Sequence, residues 1–388
     1  MSNHQVAIQE SVVLEVCKQD LAKTRVVSVP STNLANGEVR LKVDQFALTA
    51  NNITYAITGD MLGYWQFFPA DQDPATWGRI PVMAFAQVIE SRCDDIEVGE
   101  RVFGFFPMTQ FLTIKAGHIT PFSFSDTAEH RHKLSSVYAN YERVAKNPFY
   151  RKETQAYQLL IKGLYTTSWL IDDFMSDHNF FGASQYIITS ASSKTSMALA
   201  FASRQRDNAK KLKLIGLTSP SRVAFVKSTK LYDEVFSYED IATLDSGKAS
   251  IFVDMAGSKT VLTSAHQHFA ENIVYSCSVG ATHINDLAAA QPSNEALPGA
   301  KPETFFAPTQ IKVKSKTKGG AQLTAEIAQS MNLFIEEMAQ HIKVKTITSI
   351  DELNQRYLSL LSGQADASAG LVFKFKGSGQ DGVYELST

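Results

Sequence analysis

Between residues 185 and 285 short apolar runs alternate with helix-forming ones, and this alternation constrains the fold more than any other feature of the chain. Ile187-Ile188-Thr189 and residues 213–218, 234–237, 250–257 and 272–280 read as strands, and residues 222–230 and 261–269 have helical spacing between them. Strands separated by single helices predict a parallel sheet with right-handed crossovers, the core of a doubly wound α/β domain.

The first of these strands ends in a cluster of small hydroxyl residues. Gln185-Tyr186-Ile187-Ile188-Thr189 runs into Ser190-Ala191-Ser192-Ser193-Lys194-Thr195-Ser196, and a helix-forming run follows. This is the outline of the first strand, turn and helix of a dinucleotide-binding domain, where backbone N–H groups and a helix N-terminus face a diphosphate. Glycine normally fills such a turn because it takes unusual φ angles and lets the backbone approach the pyrophosphate. Serine keeps the N–H donor and adds a hydroxyl, and Lys194 adds a charge that can pair with a phosphate. Ser190, Ser192, Ser193, Lys194 and Thr195 are therefore candidate cofactor contacts. The rival reading is a scaffold that has lost its cofactor and keeps the serines as helix caps. After the second strand, an NAD site wants a carboxylate for the ribose 2′-OH. Leu217-Thr218-Ser219 offers none. Thr218, Ser219 and Arg222 can instead donate to a 2′-phosphate, which favours NADPH, although a residue such as Arg222 taken alone is more commonly a solvated helix charge. The fifth strand ends at Val279-Gly280, and ends of parallel strands face the ligand crevice, so these two residues join the candidate cofactor site.

Upstream, residues 1 to about 125 read as mostly β. Residues 39–48 alternate with period two, residues 81–90 form another strand, residues 98–106 a turn feeding a third, and residues 111–114 a fourth. Asn36-Gly37 is a hairpin signal, and short strands with Gly and Pro between them suggest a small barrel. Residues 126–155 read as a connecting excursion, with helical spacing from Gln155. Four prolines make residues 286–320 largely loop, followed by helices from about Ala321 to Gln340 and from Asp351 to Leu361, the latter capped by Ser349 or Asp351. A closing strand spans 369–375, and residues 377–382 look flexible.

At 388 residues the chain has room for two domains. Its formal net charge of −2 implies no broad attraction to nucleic acid or to an anionic membrane. No signal peptide and no membrane-spanning run are visible, so the expected location is the cytoplasm. Cys17, Cys93 and Cys277 are too few and too far apart for a disulfide framework or a zinc knuckle, and read as buried neutral thiols. His130/His132 and His266/His268 sit in polar context and read as surface pairs.

The order of these elements resembles the medium-chain dehydrogenase/reductase superfamily. Val98-Gly99-Glu100-Arg101-Val102-Phe103-Gly104 is similar to its "GDRVFG" strand, Thr166-Thr167-Ser168-Trp169-Leu170 to "TAYxxL", Leu231-Tyr232-Asp233-Glu234-Val235-Phe236-Ser237-Tyr238 to "GADEVINY", and Val253-Asp254-Met255-Ala256-Gly257 to "FDxxG". Several blocks, among them residues 166–174, 190–195 and 279–283, look like a subfamily known only as a domain of unknown function. The resemblance implies a GroES-like β-barrel over residues 1–155, a Rossmann domain over 156–320 and a C-terminal return to the first domain over 321–388. It also places Tyr238 as a further partner of the 2′-phosphate.

Zinc-dependent members carry an early Cys and a Gly-His-Glu segment. Here residues 81–86 (Pro-Val-Met-Ala-Phe-Ala) fill that segment and residues 48–52 hold no Cys. The resemblance thus implies a zinc-independent, NADPH-dependent oxidoreductase that reduces an activated C=C bond or a quinone. The segment 48–59 resembles the family's "NxxDxxxxxG" active-site loop, so Asn52 and Tyr55 are candidates to orient substrate or donate a proton, with Tyr64 nearby. His283, just after the fifth strand, is a candidate proton donor or carboxamide partner, or else a surface loop histidine. Phe305-Phe306 are candidate pocket walls or plain core. Asp172-Asp173 point in different directions on one helix and read as capping or helix-surface residues. The alternative in another class is a non-redox protein on the same scaffold, binding a small ligand or running other chemistry through Tyr55 and His283. A homodimer with a small-molecule substrate is the default expectation for the assembly.

Overall fold

A computed structural model describes residues 10–209, 211–255, 257–279 and 297–375. The residues form two compact units. Of the described residues, the first unit comprises those up to Leu160, Val344–Ala365 and those from Ala369 to Phe375; the second comprises those between Ile161 and Lys343, with Asp366–Ser368.

In the first unit β1 (Glu10–Cys17) lies between β2 (Thr24–Pro30) and β4 (Trp77–Gly78) in a small antiparallel sheet. The larger sheet is built on β3 (Glu38–Leu48), β5 (Pro81–Ser91), β6 (Arg101–Pro107), β9 (Asn140–Arg143), β8 (Ser123–Asp126) and β7 (Phe111–Gly117), in that spatial order. Because β3 pairs with both β5 and β7, these six strands close on themselves. A closed ring leaves no open edge, and this is the expected barrel. β17 (Ala369–Lys374) extends the sheet from β3, with β16 (Lys343–Ile347) beyond it.

β3 is more buried than period-two alternation predicts. Arg40, Phe46, Ala47 and Leu48 are buried along with Val39, Leu41 and Val43. The extra cover comes from the far end of the chain: Phe373 on β17 and Leu353 and Tyr357 on a late helix, Ile350–Leu361, join Phe46 in one core. That helix starts as its sequence suggests, with the Ser349 hydroxyl accepting from the Glu352 amide. Two details depart from expectation. Asn36-Gly37 makes a turn with Gly37 at φ +81°, but β2 and β3 lie in different sheets, so it joins no hairpin. The excursion over 126–155 contains β9, which the ring needs.

The second unit carries six parallel strands in the order β12-β11-β10-β13-β14-β15. They span Glu234–Ser237, Lys213–Thr218, Gln185–Ile188, Ser250–Asp254, Ile273–Ser278 and Pro302–Thr304 respectively. In chain order this is 3-2-1-4-5-6, the Rossmann arrangement, whose switch point lies between β10 and β13. Ile187, Ile215, Leu217 and Phe252 from the sheet pack with Phe269 and Ile273 in one core.

The helices of the chain, in order, are α1 (Ala50–Ile57), α2 (Gln155–Asp177), α3 (Lys194–Arg204), α4 (Val223–Ser228), α5 (Lys259–Phe269), α6 (Ala307–Lys318), α7 (Gly320–Met338) and α8 (Ile350–Leu361). α6 corrects the expectation of loop over residues 286–320. Its proline, Pro308, sits in the first turn, where no intrahelical donor is lost and its fixed φ suits the helix. α7 packs within the second unit: the Phe334 ring lies 5.2 Å from those of Tyr165 on α2 and Phe201 on α3.

Asp172 and Asp173 are not helix-surface residues. Both are buried, and Arg206 and Lys314 reach them from two directions, with Lys318 3.9 Å from Asp173. Adjacent residues on a helix do diverge, but here each direction meets a cation. Burial pushes the Asp172 carboxyl up to about 6 against the pull of Arg206. His266 is likewise no surface residue. It is fully buried on α5, its Nδ1 2.8 Å from the Pro298 carbonyl and its Nε2 3.0 Å from the Ser276 hydroxyl. A polar sequence neighbourhood hid a histidine whose two nitrogens find partners across the fold. Cys17 and Cys277 are buried, and Cys93 is half-buried.

Candidate functional site

The serine-rich turn sits at the switch point, after β10. Ser190 adopts φ +49°, the left-handed conformation that glycine usually supplies. Two tyrosines hold it. The Ser190 amide donates to Tyr238 Oη at 3.0 Å, and Tyr232 Oη donates to the Ala191 carbonyl at 3.2 Å. Tyr232 reaches this position because β11 carries Gly216 there: a Cβ on Gly216 would lie 3.0 Å from the Tyr232 ring and 2.9 Å from Ala191 Cβ. Close packing that a turn glycine commonly provides is here provided by a strand glycine and a ring.

Ser193 is the N-cap of α3, its Oγ accepting from the Ser196 amide at 3.1 Å, and Ser196 Oγ donates back to the Thr189 carbonyl. Thr189 Oγ1 also donates to Asp254 at the end of β13, whose backbone carbonyl accepts from the Val279 amide at 2.9 Å. Thr218, ending β11, donates to the Ser192 hydroxyl at 3.3 Å. The structure thus brings together Ser190, Ser192, Ser193, Thr218 and Tyr238 by hydrogen bonds, and Val279 through Asp254. Ser219 and Arg222 follow Thr218 in a short turn, with the Arg222 amide donating to the Ser219 carbonyl. Gly280 and His283 lie outside the described residues.

Electrostatics single out Lys194, the first residue of α3. Burial pushes its ammonium down to about 8, Asp366 opposes this and Arg222 adds to it. The first turn of α3 has no acidic residue. A helix N-terminus carries partial positive charge, so a lysine here favours anionic company such as Asp366. The amides that open a helix have no acceptor within it. Thr195, the Ser192 hydroxyl, Lys194 Nζ, Ser219 and Arg222 make a donor set suited to phosphate groups, with no carboxylate after β11 to repel a 2′-phosphate. The residues present fit a phosphorylated dinucleotide.

In the first unit the segment 48–59 is largely helix α1 rather than loop, because Asn52 closes a capping box with Thr49. Asn52 Oδ1 accepts from the Thr49 amide at 2.6 Å and its Nδ2 donates to the Pro81 carbonyl at 2.7 Å. The side chain is buried, tying the start of α1 to β5. Tyr55, one turn on, packs its ring 4.6 Å from that of Tyr64 and edge-on to Phe105. Burial holds the hydroxyls of both tyrosines protonated well above the usual phenol range. The sequence reading missed Tyr138, whose ring stacks on Phe105 at 4.7 Å and whose hydroxyl is 3.3 Å from that of Tyr64. Nothing in its polar sequence neighbourhood marks it, since the contact depends on how residues 126–139 fold back. Of the aromatic pair further on, Phe305 is buried against Phe174 and Phe306 is exposed.

Among the described residues no group of three or more His, Cys, Asp or Glu side chains is placed to hold a metal ion, and no helix is long and apolar enough to cross a membrane.

A closed barrel and a 3-2-1-4-5-6 parallel sheet in one chain are the architecture of the medium-chain dehydrogenase/reductases. The likeness extends over nearly the whole chain. CurA from Vibrio vulnificus, solved in complex with NADPH, is 12% identical with a TM-score of 0.57, covering 94% of this chain and 99% of its own. The yhdH oxidoreductase from Salmonella enterica, solved with NADP, is 12% identical with a TM-score of 0.53, over 95% and 100%. The quinone oxidoreductase from Coxiella burnetii is 14% identical with a TM-score of 0.51, over 95% and 100%. The chain belongs to the DUF2855 family, proteins of unknown function, which it matches over residues 46–366. No curated protein sequence matches it.

Proposed function

We propose that this protein is an NADPH-dependent, zinc-independent oxidoreductase that reduces an activated C=C bond or a quinone. The observation that carries the reading is Lys194 at the mouth of α3: a half-buried lysine whose ammonium is pushed down by desolvation, placed on a helix N-terminus beside Arg222, in a turn braced by two tyrosines. Ser192, Lys194 and Thr195 would hold the diphosphate, and Ser219 and Arg222 the 2′-phosphate. The solved structures of CurA and yhdH, which contain NADPH and NADP, support the choice of nucleotide. When bound, the nicotinamide supplies a hydride. The chain's own part is to bind and orient. In the first unit the phenols of Tyr55 and Tyr64 stay protonated and can donate to a substrate oxygen that gains negative charge. Zinc-independence rests on residues 81–86 and 48–52, which replace the ligands of zinc-dependent relatives.

The experiment is a pair of calorimetric titrations followed by an assay. NADPH is expected to bind more tightly than NADH, and NADPH absorbance to decay when quinones, enones or crotonyl-type thioesters are added. Equal or tighter NADH binding would refute the 2′-phosphate assignment. Absence of binding by either nucleotide would favour the non-redox alternative, which the internal hydrogen bonds of Ser190 and Ser193 make structurally coherent.

A further inference from the structure

Asp366–Ser368 belong to the second unit, although the residues on either side of them belong to the first. The chain leaves the barrel unit for three residues between α8 and β17, and the first of them is a carboxylate. Hydrogen bonds fix it in place. The Ser368 amide and hydroxyl both donate to Asp366 Oδ1, at 2.9 Å and 2.7 Å, and the Ser368 carbonyl accepts from the Lys343 amide at 2.8 Å. Among the described residues nothing donates to the second carboxylate oxygen. What this carboxylate meets instead is positive charge: Asp366 and Lys194 each act on the other, and Arg222 acts on both. The Ser368 bonds, with the two cations behind them, hold the Asp366 carboxyl below the usual carboxylate range, so it is ionised at neutral pH. Lys194 and Arg222 are the cations assigned above to the phosphates of the nucleotide. Without a nucleotide they repel one another where burial already disfavours the Lys194 ammonium. A carboxylate of the chain's own offsets that repulsion.

We propose that Asp366 is a tethered counter-ion of Lys194 and Arg222 that competes with the phosphates of the nucleotide for these two cations. A dinucleotide phosphate brings further negative charge to the same place, and Asp366 then faces like charge. Binding must overcome it, so the affinity of the site is held down by a residue that lies on neither α3 nor β11. The inference rests on the proposed nucleotide site and adds its regulation: any event that draws Asp366 away or neutralises it opens the site to phosphate.

The test compares the full chain with Asp366→Asn and Asp366→Glu. Asparagine keeps an Oδ1 acceptor for Ser368 and removes only the charge, whereas glutamate keeps the charge. Asp366→Asn is expected to bind NADPH about tenfold more tightly than the wild type at low ionic strength, the effect of one like charge near a partly screened site. The gain should shrink in about 1 M salt, where charges are screened beyond about 3 Å, and Asp366→Glu should not show it. Competitive acetylation of lysines across pH gives a readout that needs no nucleotide: with the carboxylate gone, Lys194 should become reactive at lower pH than in the wild type. Unchanged or weaker NADPH binding by Asp366→Asn overturns the inference. So does a gain that survives salt or appears equally in Asp366→Glu, which would mean a structural role, and so does Lys194 reactivity that ignores the substitution. If neither the wild type nor Asp366→Asn binds NADPH, the proposed nucleotide site fails by itself, and inorganic pyrophosphate becomes the probe. Tighter pyrophosphate binding by Asp366→Asn would then sustain the counter-ion, and equal or absent binding by both chains would remove it.

Discussion

Ser190 holds a left-handed backbone conformation that costs an L-residue about 1 kcal/mol or more. Tyr238 makes that tolerable by accepting the Ser190 amide, which would otherwise lack its partner. Two outcomes follow. Ser190→Gly should raise stability by up to about 1 kcal/mol, since glycine takes this φ freely and little side-chain contact is lost; a lower denaturant midpoint would show that the serine is not strained. Lys194 yields a pH signature. Its ammonium is charged below about 8 and neutral above, so the affinity for NADPH should fall as pH rises through 8. Lys194→Arg should flatten that dependence, and Lys194→Ala should cost about tenfold to a hundredfold at neutral pH, the range of a charge-assisted hydrogen bond. Calorimetry across the pH range checks both. At this scale the sequence was readable where the residue type carried its own chemistry, as with the Ser193 cap and the missing carboxylate after Thr218. It was unreadable where a role depends on distant chain, as with Tyr138, His266 and the buried Asp172-Asp173 pair.

Strands and helices with strong local patterns stand where their sequences place them: residues 213–218 and 234–237 match β11 and β12 to the residue, and α7 and α8 begin within one residue of expectation. Loss of legibility has local causes. Pro308 reads as a breaker until its place in the first turn of α6 is known, and the segment 48–59 reads as a loop until Asn52 is seen capping α1. Strand β11 carries a test of its own. Gly216→Ala puts a methyl 2.9 Å from Ala191 Cβ and 3.0 Å from the Tyr232 ring. It should destabilise the protein by about 1–3 kcal/mol, the usual range for overpacking, and weaken NADPH binding by disturbing the turn. A variant that melts and binds as the wild type would remove Gly216 from the account of the site.

The barrel unit is discontinuous in sequence. β3 needs β17 from the chain end, registered Leu48 against Leu371 and Phe46 against Phe373, and Tyr357 on α8 donates to the Leu21 carbonyl at 2.9 Å. Residues 10–160 expressed alone should therefore lack a cooperative unfolding transition, and adding residues 344–375 as a second chain should restore one; circular dichroism on both samples decides it. The two-unit plan was legible because a β-rich run and a strand–helix alternation differ in period, whereas the line along which late helices divide between the units depends on packing that periodicity does not encode. Trp169 lies with its ring 5.3 Å from the Arg206 guanidinium and 5.5 Å from the Lys318 ammonium, over the buried carboxylates of the second unit. Trp65 and Trp77 belong to the first unit, Trp65 gripped where Gly59 and Gly78 leave room for its indole. Each half of the molecule consequently owns its emission: a Trp169→Phe chain glows only from the barrel, a Trp65→Phe/Trp77→Phe chain only from the parallel sheet, so the order in which the halves come apart can be watched without attaching a dye.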